Sequence, residues 1–269
     1  MLPKSMEPLE TIGRGALGSL AYIGGLARLG GRSAYYTLIG PFRGKPLRFG
    51  RAVHQAMAVG VEALPILSVI TFFIGVILAL QGAYELRQFG ALHFIASGVA
   101  VSMTRELGPL MTAIVVIGRS GSAFAAEIGT MKVTEEIDAL TTMALNPTQF
   151  LVTPKFLAMI VMMPCLTTWA DLMGVFGGAL FGVTNADFTL GTYIQATFTA
   201  LLLRDIITGL IKSVMFGIVI TAVGCHEGFS TGAGAEQVGR STTSAVVMSI
   251  FLVVVVDLIF TTLFYFLDR

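Results

Sequence analysis

Between Glu62 and Glu85 the chain carries no charge for 22 consecutive residues, and within that run Pro65–Tyr84 reads PILSVITFFIGVILALQGAY. About 20 mostly apolar residues are what a helix needs to cross a bilayer. Four more apolar stretches follow, at 92–118, 156–184, 205–223 and 243–267, each interrupted by charge: Arg105 with Glu106, then Asp171, Lys212 and Asp257. With 65–84 these make five spans and predict an all-α integral membrane protein. Composition agrees: 55% of the 269 residues are hydrophobic and 12% charged, against roughly 45–50% and about 25% in soluble domains. A disordered chain, a free nucleic-acid binder and a typical cytosolic enzyme are all poor fits, and two cysteines are too few for a disulfide scaffold.

The formal net charge of +1 hides an asymmetry. Residues 1–51 hold eight basic residues (Lys4, Arg14, Arg28, Arg32, Arg43, Lys45, Arg48, Arg51) and two acidic ones, Glu7 and Glu10. With the N-terminus inside, segments 1–62, 119–155 and 224–242 hold twelve basic residues, and the external pieces hold three: Arg87, Arg204 and Arg269. The positive-inside rule therefore predicts a cytoplasmic N-terminus and, for an odd span count, an external C-terminus. Residues 1–52 read as an interfacial amphipathic segment, in which Leu9, Ile12, Leu17, Leu20, Ile23 and Leu29 recur at roughly helical spacing; a solvated tail is the alternative. Residues 53–269 form the transmembrane domain. The apolar segment 185–204 reads as an external surface helix, with a sixth span as the competing assignment. Small residues recur every four positions at Gly121, Ala125, Gly129 and at Gly174, Gly178, Gly182, a pattern that lets membrane helices pack closely.

Catalytic signatures are missing. There is no Walker A sequence, so ATP would have to be bound by another chain, and no cofactor is expected on this one. His54, His93 and His226 are scattered, which speaks against a metal site. Cys165 reads as a core residue. The chemistry concentrates in the intramembrane charges, since ionisable groups in a span are costly and rarely face lipid. Arg105 and Glu106 point about 100° apart on a helix, and Gly108-Pro109 beside them predicts a kink or break. Two roles stay open for Arg105, Glu106 and Lys212. In one, Glu106 is neutralised by Arg105 or Lys212 and locks helices together; in the other, the groups line a polar patch that meets a charged head group. Asp171 and Asp257 read as helix–helix hydrogen-bonding groups. In 119–155, Val133, Ile137 and Leu140 form an apolar stripe with Glu135, Glu136 and Asp138 on other faces. Such a short helix between spans could dock into a partner's groove or lie on the membrane. Thr153-Pro154 looks like an N-cap and first-turn pair opening the third span.

Taken together, RELGPLMTAIVVIGRSGSAFAAEIGTMKVTEEIDAL at Arg105–Leu140, LALQG at 78–82, NP at 146–147, IKSVMFG at 211–217 and GAEQVGRSTTSAVV at 234–247 resemble the MlaE/YrbE permeases of ABC-type lipid transporters. One departure is Ser244, where relatives often carry a basic residue. The resemblance implies a homodimeric inner-membrane permease with an interfacial helix, five spans and a cytoplasmic coupling helix. It implies a separate cytoplasmic ATPase that binds ATP and Mg, a periplasmic MCE-domain protein and, in some systems, a STAS-domain protein. It also implies phospholipid movement that maintains outer-membrane lipid asymmetry in Gram-negative bacteria. Phe73, Ile77 and Leu80 would then supply apolar walls for lipid tails, and Tyr84, Arg105, Glu106 and Lys212 would meet the head group. Val133, Glu135, Glu136, Ile137, Asp138 and Leu140 would form the ATPase coupling site. The rival from another class is an autonomous proton-coupled transporter relaying protons through Glu106 and Asp257. A membrane enzyme of lipid metabolism would need an interfacial cluster that the sequence does not offer.

Overall fold

The computed structural model describes residues 7–38, 49–185 and 189–267. Lys4, Arg43, Lys45, Arg48 and Arg269 lie outside the described residues, as do the side chains of Leu9, Ile12 and Arg14. Among the described residues the chain is helical, with five helical runs long and apolar enough to cross a membrane: Gly50–Gln88, Leu92–Val133, Thr148–Thr184, Leu203–Ser230 and Ala235–Leu267.

Helix α1 (Glu7–Leu38) precedes the bundle. The first span joins α2 (Phe49–Gly60) to α3 (Leu64–Gln88) through a turn, with Pro65 in the first turn of α3, where its missing N–H costs nothing. The second is one continuous helix assembled from α4 (Ile95–Ser102), α5 (Gly108–Val116) and α6 (Ser122–Val133). Two π-helical turns, Met103–Leu107 and Ile117–Gly121, join its pieces. The short helix α7 (Glu136–Thr142) leads to a third π-turn, Thr148–Val152, and then α8 (Thr153–Asn185). Helix α9 (Leu190–Ala200) precedes α10 (Leu203–Ser230) and α11 (Ala235–Leu267). At 11 residues, α9 is roughly 16 Å long and cannot cross a core of about 30 Å. The surface-helix assignment holds, and a sixth span is excluded.

Three local expectations are corrected. The helix of the third span does not open at Thr153. The Asn146 Oδ1 accepts the N–H groups of Thr148 at 3.0 Å and Gln149 at 3.4 Å, so Asn146 caps the run and Thr153 lies inside it. Gly108-Pro109 does not break the second span; the expected irregularity takes the form of a wider, π-helical turn just before it. Cys165 is exposed on α8 rather than in the core, while Cys225 is buried.

Glycine governs the closest helix contact. A Cβ at Gly75 would run into the Gly174 carbonyl, and one at Gly177 into the Phe72 carbonyl, so α3 and α8 touch backbone to backbone. Thus the small-residue face of α8 is a packing seam. The central core of Leu67, Val116, Ile117, Met159, Met163, Phe216 and Ile220 fills the space between α3, α5, α8 and α10. Outside it, Ile66, Val69, Phe73, Ile77 and Leu80 of α3, Leu172, Phe176 and Leu180 of α8, and Val254 and Leu258 of α11 all point outward. An apolar surface of that extent suits lipid, not water.

Candidate functional site

Lys212 stands on α10 nine residues in from Leu203, roughly 14 Å along the axis and so about half the apolar thickness of a bilayer. Its side chain is 2% exposed. The ammonium Nζ lies 2.5 Å from Glu106 Oε2 and 3.0 Å from Asp257 Oδ1, and donates to Thr261 Oγ1 at 2.7 Å. Thr261 in turn donates to Glu106 Oε1 at 3.2 Å. A second pair lies beside the first: Arg105 Nη1 is 3.5 Å from Asp205 Oδ1. Asp205 does double duty, because its Oδ2 accepts the Leu202 N–H at 3.1 Å and so caps α10.

The π-turn Met103–Leu107 makes this arrangement possible. Pro109 has no N–H to give to the preceding turn, and a wider turn absorbs the loss. The Thr104 hydroxyl donates to the Ala100 carbonyl at 2.9 Å in the same stretch. The adjacent Arg105 and Glu106 are thereby sent to different partners on α10. Glu106 is neutralised by Lys212, not by Arg105. Asp257 is an ion-pair partner of Lys212 rather than a plain hydrogen-bonding group. Asp171 does not do what the sequence suggested: its Oδ1 has no hydrogen-bond partner and abuts Gly108, where a Cβ would strike it.

The site is half open. The side chains of Arg105 and Glu106 are 35% and 39% exposed. One turn ahead, Ser102 lines a groove of about 650 Å³ with Leu80, Gln81, Tyr84, Glu85 and Phe94. Phe73 and Ile77 extend the Leu80–Tyr84 face along α3, outside the groove. The structure thus gathers Arg105, Glu106 and Lys212 in one cluster, and places Leu80 and Tyr84 on the separate groove that Ser102 lines.

The proposed coupling residues divide between two helices. Val133 ends α6, Glu135 takes a left-handed conformation (φ 60°), and Glu136, Ile137, Asp138 and Leu140 lie on α7. The continuous Val133–Ile137–Leu140 stripe is therefore broken at Glu135. Val133 and Ile137 meet instead across a cleft of about 530 Å³, walled by Lys132, Glu135, Asp138, Phe229 and Thr231. Glu135, Glu136 and Asp138 are exposed, and Ile137 and Leu140 half-buried.

Sequence reasoning missed Asp205 and Thr261. Asp205 looked like the mere start of a span, although an arginine inside a membrane demands an acidic partner from a neighbouring helix. It also missed two further ion pairs, Arg119 with Glu62 at the π-turn Ile117–Gly121 of the second span, and Lys155, whose Nζ lies 2.5 Å from Glu127 Oε2, nearer α7. There the Tyr22 hydroxyl of α1 donates to Glu227 Oε1 at 2.8 Å, and Asn146 Nδ2 donates to Tyr36 Oη at 2.9 Å.

Five apolar helices around a half-open cluster of ion pairs define a multi-pass membrane protein. Residues 52–263 match the profile of the family described as Permease MlaE. The chain is 44% identical over 220 residues to a probable ABC transporter permease protein of Rickettsia bellii, covering 82% of this chain and 85% of that one. It is 34% identical over 236 residues to the intermembrane phospholipid transport system permease protein MlaE of Haemophilus influenzae, covering 86% and 90%. It is also 34% identical over 219 residues to the chloroplastic protein TRIGALACTOSYLDIACYLGLYCEROL 1 of Arabidopsis thaliana, covering 81% and 63%. The chain belongs to the MlaE permease family.

Proposed function

We propose that this permease forms the lipid path of an ABC-type phospholipid transporter acting between the bacterial inner membrane and the cell envelope, where it maintains outer-membrane lipid asymmetry. It works as a homodimer driven by a separate cytoplasmic ATPase, which holds ATP and Mg. A periplasmic MCE-domain protein and, in some systems, a STAS-domain protein complete the assembly. The α7 end and the N-terminus face the cytoplasm; α9 and the C-terminus face outward.

The carrying observation is the half-open cluster. Its rim offers one cation, Arg105, and one anion, Glu106, each more than a third exposed. A zwitterionic head group presents a phosphate and an ammonium, complementary to such a rim. The acyl chains need only apolar walls, which the outward face of α3 supplies at Phe73, Ile77 and Leu80. Tyr84 lines the groove beside them. Buried Lys212 holds the rim in place from behind. Exposed Glu135, just before α7, and Glu136 and Asp138 on it face the ATPase, while Val133 at the end of α6 and Ile137 and Leu140 of α7 seat the helix.

The test is lipid transfer by the complex reconstituted in phospholipid vesicles. Glu106→Lys should abolish ATP-driven transfer while the ATPase stays bound. Normal transfer with normal assembly sinks the lipid-path role. Ile137→Asp or Glu136→Arg should release the ATPase, and unchanged retention would count against α7 as its seat. Transfer that proceeds without the ATPase and stops when a proton gradient is collapsed would establish the autonomous transporter instead.

A further inference from the structure

A second buried lysine takes no part in the lipid-path cluster. Lys155, in the first turn of α8, is 1% exposed. Its Nζ sits 2.5 Å from Glu127 Oε2 and 4.6 Å from the centroid of the Phe124 ring. Lysine is rarely buried without a partner. Here a carboxylate and an aromatic face share the charge. Glu127 and Phe124 are three residues apart on α6, hence on one face. The contact therefore joins α6 to α8, the two helices that flank α7 in the chain.

Helix α7 needs that support. It has seven residues and none of them is buried. Residues with positive φ bracket it, Glu135 at 60° and Ala144 at 57°. A helix so short and so lightly packed transmits a load only if its base is stiff. The base is a distinct core of Ile128, Val152, Phe156, Ala222 and Cys225, against which Ile137 of α7 and Leu26 of α1 both pack. Lys132 Nζ also donates to the Phe229 carbonyl at 2.5 Å, tying the end of α6 to α10.

We propose that Lys155 and Glu127 are a positioning pair for energy coupling: they stiffen the α6–α7–α8 elbow, so that displacement of α7 by the ATPase moves the spans instead of flexing the elbow. This rests on the proposed function. The pair touches neither lipid nor nucleotide; it acts through α7.

The experiment measures lipid moved per ATP hydrolysed by the reconstituted permease–ATPase complex. The variants are Glu127→Gln, Lys155→Met and the swapped pair Glu127→Lys with Lys155→Glu. Each single variant should lower the ratio about tenfold, equivalent to ~1.4 kcal/mol of lost coupling, with ATPase retention unchanged. The swap should restore most of it. Wild-type ratios in the single variants overturn the proposal. Retention that falls in step with transfer also overturns it, because the residues would then belong to the docking surface. Should Lys155→Met fail to assemble, Glu127→Gln decides, being nearly isosteric at a side chain 46% exposed. A wild-type complex that hydrolyses ATP without moving lipid refutes the transport reading instead. The pair is then scored by the permease's stimulation of ATP hydrolysis, and unchanged stimulation in Glu127→Gln overturns it.

Discussion

Replacing Lys212 by Met tests the central cluster most severely. The methionine fills nearly the same volume, so packing is kept and only the ammonium is lost. That ammonium lies within 3.0 Å of Glu106, Asp257 and Thr261. Removing one partner of a buried ion pair costs about 3–5 kcal/mol, because the remaining charge stays desolvated. Glu106 is 39% exposed and can turn outward, whereas Asp257 is 19% exposed and cannot do so fully. The lower end of the range applies, about 3 kcal/mol, a factor of roughly 100 in the folded-to-unfolded ratio. Denaturant titration of the permease in micelles reads that change directly. Adding Glu106→Gln and Asp257→Asn to Lys212→Met removes the orphaned charges and should recover most of the stability. Transfer should stay absent in the triple variant, since the rim has lost its anion. Two results refute the reasoning. A loss below about 0.5 kcal/mol in Lys212→Met would place it with ordinary surface substitutions. Restored transfer in the triple variant would reduce the cluster to a helix lock.

Three further outcomes are expected. Gly75→Ala should block the α3–α8 seam, since a backbone carbonyl cannot yield to its Cβ; a wild-type melting temperature would contradict the seam. Ala144→Gly should raise stability by about 0.5–1 kcal/mol, because Ala144 holds φ 57° and glycine adopts that conformation without strain; a fall in stability in the same denaturant titration would refute this. Tyr22→Phe should cost about 1 kcal/mol through the lost hydrogen bond to Glu227. Burial first, then that bond and the Glu227 charge, push the Tyr22 phenol well above its ordinary 10.0. A raised folded-state value means that this contribution is intact below the ordinary value and is lost only as pH rises through the folded one. The tyrosinate absorbance of wild type minus Tyr22→Phe should therefore show no step near pH 10, and such a step would contradict the contact.

The spans were legible because lipid imposes one simple rule, about 20 apolar residues, which the run before Glu85 meets without ambiguity. Arg105, Glu106 and Lys212 stood out for a related reason, since a charge in an apolar run is conspicuous. Their pairing was not. It depends on the π-turn Met103–Leu107, and one additional residue in a turn leaves no periodicity to read in a stretch this short. Glu135 misled in the same way. The spacing of Val133, Ile137 and Leu140 is perfectly helical, but φ 60° at Glu135 divides the segment in two. Lys155 escaped notice because it stands next to a proline at a span boundary, where a lysine normally faces solvent.

The two clusters are connected by α10, and the character of the spans decides how. Lys212 and Glu227 are 15 residues apart on this helix, roughly 22 Å along its axis. Across that distance α10 contains no proline and no π-turn. It is wedged against its neighbours, with Gly217 against the Met159 carbonyl and Gly224 against the Gly121 carbonyl. Helix α11 is likewise unbroken. By contrast, the second span carries two π-turns, and α8 carries Pro164 inside the helix. A displacement at the α7 end would therefore be carried by α10 as a rigid-body shift, and the second span, with its two π-turns, is the element with room to yield. Lys212–Asp257 joins two stiff helices, whereas Lys212–Glu106 joins a stiff helix to a compliant one. Relative motion of these helices would load the latter contact first, and Glu106 is the more exposed of the two carboxylates on Lys212, the one with room to turn away.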